Sequence, residues 1–390
     1  MLKTRIELFP WSISAPDIDQ TLDHLRGEVG LDGITLSAAT EGIRHLRISG
    51  EALLHETAGG LIYPPESARY PDTRIKPVSA EWAGQRNVVS HWKSACEKRG
   101  LSLRLSVATA RLGRIAQRKP ELSVKNVGDS RCAVTLCLTS PEVQALLLDM
   151  VLEIVDRFAP DSIELTGFES TWRLDGTELR PETGDSDWYR WLGVCVCESC
   201  RQRAFDYDID VDDVTASIQR EARRALSGDV SEELFGGQAD RPLHAYLRMQ
   251  QKERLRLVER LTEKSAVPIL CRVPVAGFED ISAAAWRSEP RHAAINWIIR
   301  DSGEHPLMHA DAATAVTSQA SNSDANDFDC EAYLSHLQAC EPEQLVRITT
   351  ELIQAGVTGV TFGNLDLMAR DVLPSVRQAV RFGRRRHSRA

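Results

Sequence analysis

Apolar and polar positions along the chain alternate between two rhythms. A strand-like run over Arg5 to Ile13 leads into a stretch where Ile18, Leu22, Leu25 and Val29 recur at helical spacing, and Gly33 to Ala38 reads as a second strand. The pattern returns at SHWKSACEKRG before LSLRLSV, where a helix carrying Trp92 and Cys96 ends at Gly100. It returns again at TSPEVQALLLDMVLEIVDRFAPDSIELTGF. There Ser140 is a candidate N-cap, Pro141 takes the first helical position, and Val143, Leu146, Leu147, Val151, Ile154, Val155 and Phe158 mark a buried face. Later strands fit VPILCRV, HAAINWIIR and YLSHLQAC, and a last helix-to-strand passage ends in AGVTGVTFGNLDL.

Eight strand candidates result, near Arg5, Gly33, Leu101, Ser162, Val267, Ala293, Tyr333 and Val357, with PLMHADAA an alternative for the sixth. Eight alternations of strand and helix predict an α/β fold of the (β/α)8 TIM-barrel kind rather than an open doubly wound sheet. No GxGxxG follows the first strand and no GxxxxGK[ST] occurs, which disfavours dinucleotide and P-loop chemistry. The expected organisation is one barrel over residues 1–380. It carries a long helical insertion after the fourth strand, at about 168–262, and a basic, disordered tail over 381–390. Long strand-to-helix connections build the active-site face of a barrel, so function is expected among them.

Composition narrows the classes. Of 390 residues, 42% are hydrophobic and 26% charged, the balance of a soluble globular protein. Lys3, Arg5 and Glu7 interrupt the start where a signal peptide needs an apolar run, and no stretch approaches the roughly 18 apolar residues of a membrane span. A cytoplasmic protein with no membrane partner is expected. A net charge of −9 argues against a general nucleic-acid binder, and only the terminal RFGRRRHSRA is strongly basic.

The nine cysteines are an odd number, and in a reducing compartment a thiolate metal site is a better use for a tight cluster than disulfides. CVCESC places Cys195, Cys197 and Cys200 at a spacing that lets three thiolates converge on a tetrahedral zinc from a turn entering a helix. A fourth ligand must come from elsewhere, and Cys137 and Cys132 are the candidates. Cys96, Cys271, Cys330 and Cys340 sit in or beside apolar stretches and read as core residues. Four thiolates would close the site and make the zinc structural, whereas a vacant fourth position would leave a Lewis acid. DYDIDVDD mimics a calcium loop but has Val211 where glycine is needed and Ser217 where the bidentate glutamate belongs. No HExxH and no GxSxG is present.

LCLTSPEVQ followed by CVCESC resembles the zinc cluster of the glycoside hydrolase family 42 β-galactosidases. The chain is similar, more closely, to a bacterial group of glycosidase-like (β/α)8 barrel proteins related to that family. The shared stretches are ARLGR, VKNVGD, the fourth-strand glutamate, CVCESCRQRA with DIDVDDV, and AGVTGVTFGNLDL. The resemblance implies Cys137, Cys195, Cys197 and Cys200 as ligands to a structural zinc, a carbohydrate substrate or ligand, and, by analogy, a homo-oligomer. It departs from the family where Glu164 follows Ile163 rather than an asparagine, and where STWRLDGTELRP replaces a histidine-rich stretch.

Glycoside hydrolysis needs two carboxyl groups across the scissile bond, about 5 Å apart for retention or about 6.5 to 9.5 Å for inversion. Glycosidase barrels place them at the ends of the fourth and seventh strands. Glu164 and Glu169 stand near the fourth, and Glu341 near the seventh. Glu164 reads either as an acid with a raised pKa inside the barrel or as the partner of an arginine such as Arg104 or Arg272. Glu341 reads either as a nucleophile or as an acidic helix start. Trp11, Arg111, Arg114, Phe168, Glu169, Trp172, Asn364 and Asp366 are rim candidates for gripping a sugar, each with loop packing as its alternative. A barrel that binds a saccharide without cleaving it, or an enzyme of another class using the cysteine-bound zinc, are the rival readings.

Overall fold

The computed structural model describes residues 2–46, 54–168 apart from 72 and 85, 191–227, 241–274, 296–300, and 330–387 apart from 336, 338–340 and 369. Eight parallel strands carry the architecture: β1 (Lys3–Leu8), β2 (Gly33–Thr40), β6 (Ser102–Ala108), β9 (Ser162–Thr166), β10 (Ile269–Pro274), β11 (Asn296–Arg300), β12 (Cys330–Leu334) and β13 (Gly359–Asn364). Each pairs in parallel with the next in that order, and β1 pairs with both β2 and β13, so the sheet curls round and meets itself. Each strand candidate overlaps one of these strands, but the seventh is shifted: β12 pairs through Cys330–Leu334 and shares only Tyr333 and Leu334 with the expected YLSHLQAC segment. PLMHADAA, the alternative sixth strand, lies outside the described residues.

Short antiparallel pieces decorate this ring. β3 (Ile43–Leu46) pairs with β4 (Leu54–Thr57), β5 (Gly60–Leu61) joins the end of β2, and β7 (Ser123–Lys125) pairs with β8 (Arg131–Leu136).

The helices that follow strands are amphipathic for the reason the sequence gives. α1 (Ile18–His24), α2 (Val88–Glu97) and α4 (Pro141–Phe158) bury Ile18 and Leu22, Val89 and Trp92, and the Val143 to Phe158 stripe against the sheet. The short α3 (Gly113–Arg118) lies between β6 and β7. α5 (Glu198–Asp206), α6 (Val211–Leu226) and α7 (Arg241–Lys264) lie between β9 and β10. They gather a second apolar cluster around Val194, Val214, Ile218, Leu243 and Tyr246, separate from the main core. α8 (Pro342–Gln354) and α9 (Leu373–His387) close the sequence of elements. The basic tail expected from residue 381 is helical as far as His387. Arg384 reaches Asp32 at 2.6 Å and Gly383 packs against Leu2 and Ile353, so this part of the stretch is docked; residues 388–390 lie outside the described residues.

The strand interiors are where this protein departs from ordinary barrel packing. Outward positions such as Ile6, Leu8, Leu103, Leu105, Val107, Ile163 and Leu165 are apolar and buried under the helices. Alternate positions carry Arg5, Glu7, Arg104, Glu164, Arg272, Glu331 and Tyr333, also buried or nearly so. A barrel interior is usually filled by branched apolar side chains. Here three arginines meet three glutamates.

Candidate functional site

The interior charges form two tiers. In the lower tier Arg104 donates from both terminal nitrogens to Glu331, at 2.8 and 2.7 Å, while Arg5 reaches the same carboxylate at 3.3 and 3.4 Å. Burial alone would push the Glu331 carboxyl up, but Arg104 and Arg5 overcome it and hold it at about 2. Glycine at 359 makes room for this. A Cβ there would lie 2.8 and 2.9 Å from the Glu331 Cδ and Cγ.

The upper tier sits nearer the C-terminal ends of the strands, the face on which barrel enzymes build their sites. Arg272 Nη2 donates to Glu7 Oε1 at 2.9 Å and contacts Glu164 Oε1, and Tyr333 donates its hydroxyl to Glu7 Oε2. The Arg272 guanidinium also lies 3.9 Å over the centroid of the Tyr333 ring. Glu164 is 0% exposed, with Arg104 Nη1 at 3.7 Å on its other oxygen. Burial pushes its carboxyl above the ordinary range, with Glu7 and Glu331 adding to the rise against Arg272 and Arg104. Two oxygens that share one nitrogen as partner lie within about 6 Å of each other. Glu164 and Glu7 are therefore a close carboxylate pair with an arginine between them.

The structure brings together some of the residues singled out in the sequence and separates others. Asn364, the last residue of β13, stands opposite Glu7 in the strand register and is 5% exposed, with its Oδ1 accepting from the Asp366 amide at 3.0 Å. Asp366 is buried beside it in the turn that follows. Trp11 is 8% exposed and already stacked, with Phe9 at 4.9 Å, His55 at 4.3 Å and Trp82 edge-on at 5.3 Å. Phe168 is buried in the main core and presents no platform. Arg111 pairs with Glu41 at 2.9 Å. Arg114 donates to the Ser79 carbonyl at 2.9 Å and pairs with Glu81, tying down the connection between β5 and α2. Glu341 is exposed at the N-cap of α8, away from the interior tiers, the helix-start position of its alternative reading. Glu169, Trp172 and Cys340 lie outside the described residues.

Glu7, Arg5, Glu331 and Tyr333 were not among the sequence candidates. Their signal was present: TRIEL, SLRLS, ILCRV and CEAYL each set a charge between apolar neighbours, which in a closed sheet aims the charge inward.

The cysteines form a second, distinct centre. Sγ atoms of Cys137, Cys195, Cys197 and Cys200 lie within 4.8 Å of one another, all four residues buried, and Cys137 and Cys200 sulfurs are 3.5 Å apart. Four sulfurs around one tetrahedral metal at about 2.3 Å stand about 3.8 Å apart, so the set fits a metal ion. Cys132 is buried in the same apolar cluster but is not one of the four cysteines whose sulfurs gather here, whereas Cys137 is. Local structure explains the convergence. Cys197 is the N-cap of α5 and Cys200 lies in its first turn. The Val196 amide donates to the Lys125 carbonyl at 2.7 Å, pinning the loop to β7. From α7, Gln250 donates to the Cys200 sulfur at 3.4 Å and to the Cys195 carbonyl at 2.7 Å, and Tyr246 donates to that carbonyl at 2.6 Å. Burial pushes the Arg254 guanidinium down to about 10 while the neighbouring cysteines pull it back up.

Comparison with known proteins places the fold. No family model matches the chain, and no curated protein matches it. Among solved structures, it is similar to an α-L-fucosidase isoenzyme from Paenibacillus thiaminolyticus, at 12% identity and a TM-score of 0.53, over 98% of this chain and 49% of that one. It is similar to a β-N-acetylhexosaminidase from Bacteroides fragilis, at 12% identity and a TM-score of 0.51, over 96% and 65%. A chitobiase from Flavobacterium johnsoniae matches at 9% identity and a TM-score of 0.50, over 99% and 50%. The chain thus spans between about half and two thirds of the length of these structures. The neighbours are glycoside hydrolases, and what the likeness shows is a glycosidase-like fold. Among the described residues no helix is long and apolar enough to cross a membrane.

Proposed function

We propose that the protein is a glycosidase-type barrel acting on a carbohydrate, with Glu164 and Glu7 as its two carboxylates and a structural zinc held by Cys137, Cys195, Cys197 and Cys200. The observation that carries the reading is the shared nitrogen of Arg272, which keeps an oxygen of each carboxylate within about 6 Å of the other, close enough for a retaining pair and short of the inverting range. Glu164 lies on the fourth strand of the ring, and its raised pKa suits a proton donor. Glu7 accepts from Arg272 and Tyr333 and takes the role of base or nucleophile. Glu341, at the exposed N-cap of α8, is not part of this pair.

Zinc is supported by four buried thiolate donors of the right spread and by the likeness of LCLTSPEVQ and CVCESC to the family 42 cluster. Four sulfurs would fill the coordination of a tetrahedral ion, so a bound zinc would cross-link rather than offer an open site, tying the turn before α4 to α5 and, through Gln250 and Tyr246, to α7. A thiolate site of this kind also suits a reducing compartment, in keeping with a cytoplasmic protein.

A second reading is favoured by one observation: Glu164 is fully buried and engaged by two guanidinium groups, an arrangement suited to holding a barrel together. On that reading the protein binds a saccharide without cleaving it. A panel of aryl glycosides separates the two. Hydrolysis that drops at least about a hundredfold in both Glu164→Gln and Glu7→Gln supports the pair. Binding of a saccharide without turnover by the native protein supports the second reading, and neither binding nor turnover overturns both.

A further inference from the structure

The upper tier contains a hydrogen-bond donor with nothing to bond. The Asn364 side-chain nitrogen is buried and has no partner, whereas its oxygen accepts from the Asp366 amide at 3.0 Å. That second bond settles which atom is the nitrogen, because only the oxygen can accept from an amide. A buried N–H left unbonded costs free energy, so the position is explained by a group that arrives to accept from it.

Across the strand register stands Glu7, 7% exposed, with each oxygen taking one donor and retaining capacity for another. Neighbouring strands lie about 4.8 Å apart, so one small group can reach both side chains. It must accept from an amide and donate to a carboxylate. A hydroxyl does both with one atom, and a vicinal pair of hydroxyls does so with two.

Charge narrows the class further. Arg5 and Arg104 both pair with Glu331 and Arg272 pairs with Glu7, so each of the three guanidinium groups already has a carboxylate partner, whatever the protonation of Glu164. An anionic or cationic ligand would be desolvated there without a free partner. We infer that Asn364 and Glu7 form a two-point grip for hydroxyl groups of a neutral sugar at the C-terminal end of the ring, selecting uncharged over charged saccharides. The inference rests on the carbohydrate reading above and names how that site recognises its ligand.

The test uses the full chain with its metal. Isothermal titration is run with methyl glycosides of glucose, galactose, mannose and N-acetylglucosamine, and with glucuronate and glucosamine as charged counterparts. Asn364→Asp keeps the oxygen that caps the following turn and removes the donor. Glu7→Gln removes the charged acceptor on the opposite side. A neutral glycoside should bind the native protein, the charged sugars should bind at least about tenfold more weakly, and each variant should lose about tenfold or more with an unchanged circular dichroism spectrum. Should a neutral glycoside bind while both variants keep its affinity within about twofold, the grip is overturned and the carbohydrate reading stands. Equal or tighter binding of a charged sugar overturns the selectivity. Binding of none of the panel overturns the grip together with the carbohydrate reading.

Discussion

Arg104 and Glu331, on strands separated by more than two hundred residues of chain, meet inside the ring with two parallel hydrogen bonds of 2.8 and 2.7 Å. A bidentate pair of this geometry, fully buried, fixes the relative position of β6 and β12. Removing one partner leaves the other as an uncompensated buried charge. Glu331→Gln should therefore destabilise the fold by about 3 to 5 kcal/mol, read as a shift in the urea midpoint at neutral pH.

The pH dependence of that contribution has a definite sign. Glu331 titrates at about 2 in the folded protein against an ordinary value of 4.5, so its stabilisation is present above 4.5 and is lost as pH falls toward 2. Urea midpoints measured across that window should fall more steeply for the native chain than for Glu331→Gln. Equal slopes would mean that the carboxylate is not held ionised by its arginines.

Glu164 predicts the opposite sign. Its carboxyl is raised by burial, so the folded state holds its proton more tightly than the unfolded chain does. The contribution is present below 4.5 and is lost as pH rises through the folded pKa. Glu164→Gln should flatten the decline in stability above that point, and infrared or NMR titration of the carboxyl should find it protonated at a pH where free glutamate is not.

Gly359 is a space requirement rather than a conformational one. A methyl group there would press on the Glu331 side chain at under 3 Å and push its carboxylate out of the Arg104 fork. Gly359→Ala should cost about 1 to 3 kcal/mol, the range of overpacked cores. In Glu331→Ala, which empties the space, the same substitution should cost little, and a double-mutant cycle measures the difference.

For the cysteine centre, metal analysis should find about one zinc per chain, with the four thiols unreactive until the metal is removed. Chelation should lower the melting temperature and expose four thiols together. Cys200→Ser should likewise lower the melting temperature and expose the three remaining thiols, because Cys200 is the most buried of the four and also receives the Gln250 amide. Loss of metal with unchanged stability would count against a structural role.

Helical and strand rhythms in the sequence were enough to locate seven of the eight parallel strands and to come within a few residues of β12, since burial on one side or both leaves its period in the residues themselves. CVCESC announced a cysteine cluster for a similar reason: a local turn and helix start bring three of its sulfurs together, and only whether Cys132 or Cys137 joins them had to wait for the fold. The barrel interior was harder to read. Arg5, Glu7, Glu331 and Tyr333 look like ordinary strand residues one segment at a time.

What the sequence by itself determined is therefore the local part: which segments are strands, which helix faces are apolar, and where three cysteines converge. Closure of the sheet decided the rest. It turned alternate strand positions inward, so that charges distant in the chain became partners in a medium of low dielectric. There pairing, and not identity, sets whether a glutamate titrates at about 2, as Glu331 does, or is raised above its ordinary range, as Glu164 is. Glu7 and Glu164, far apart in sequence, acquire a common arginine only because β1 and β10 face each other across the ring, and no property of either segment alone encodes that meeting.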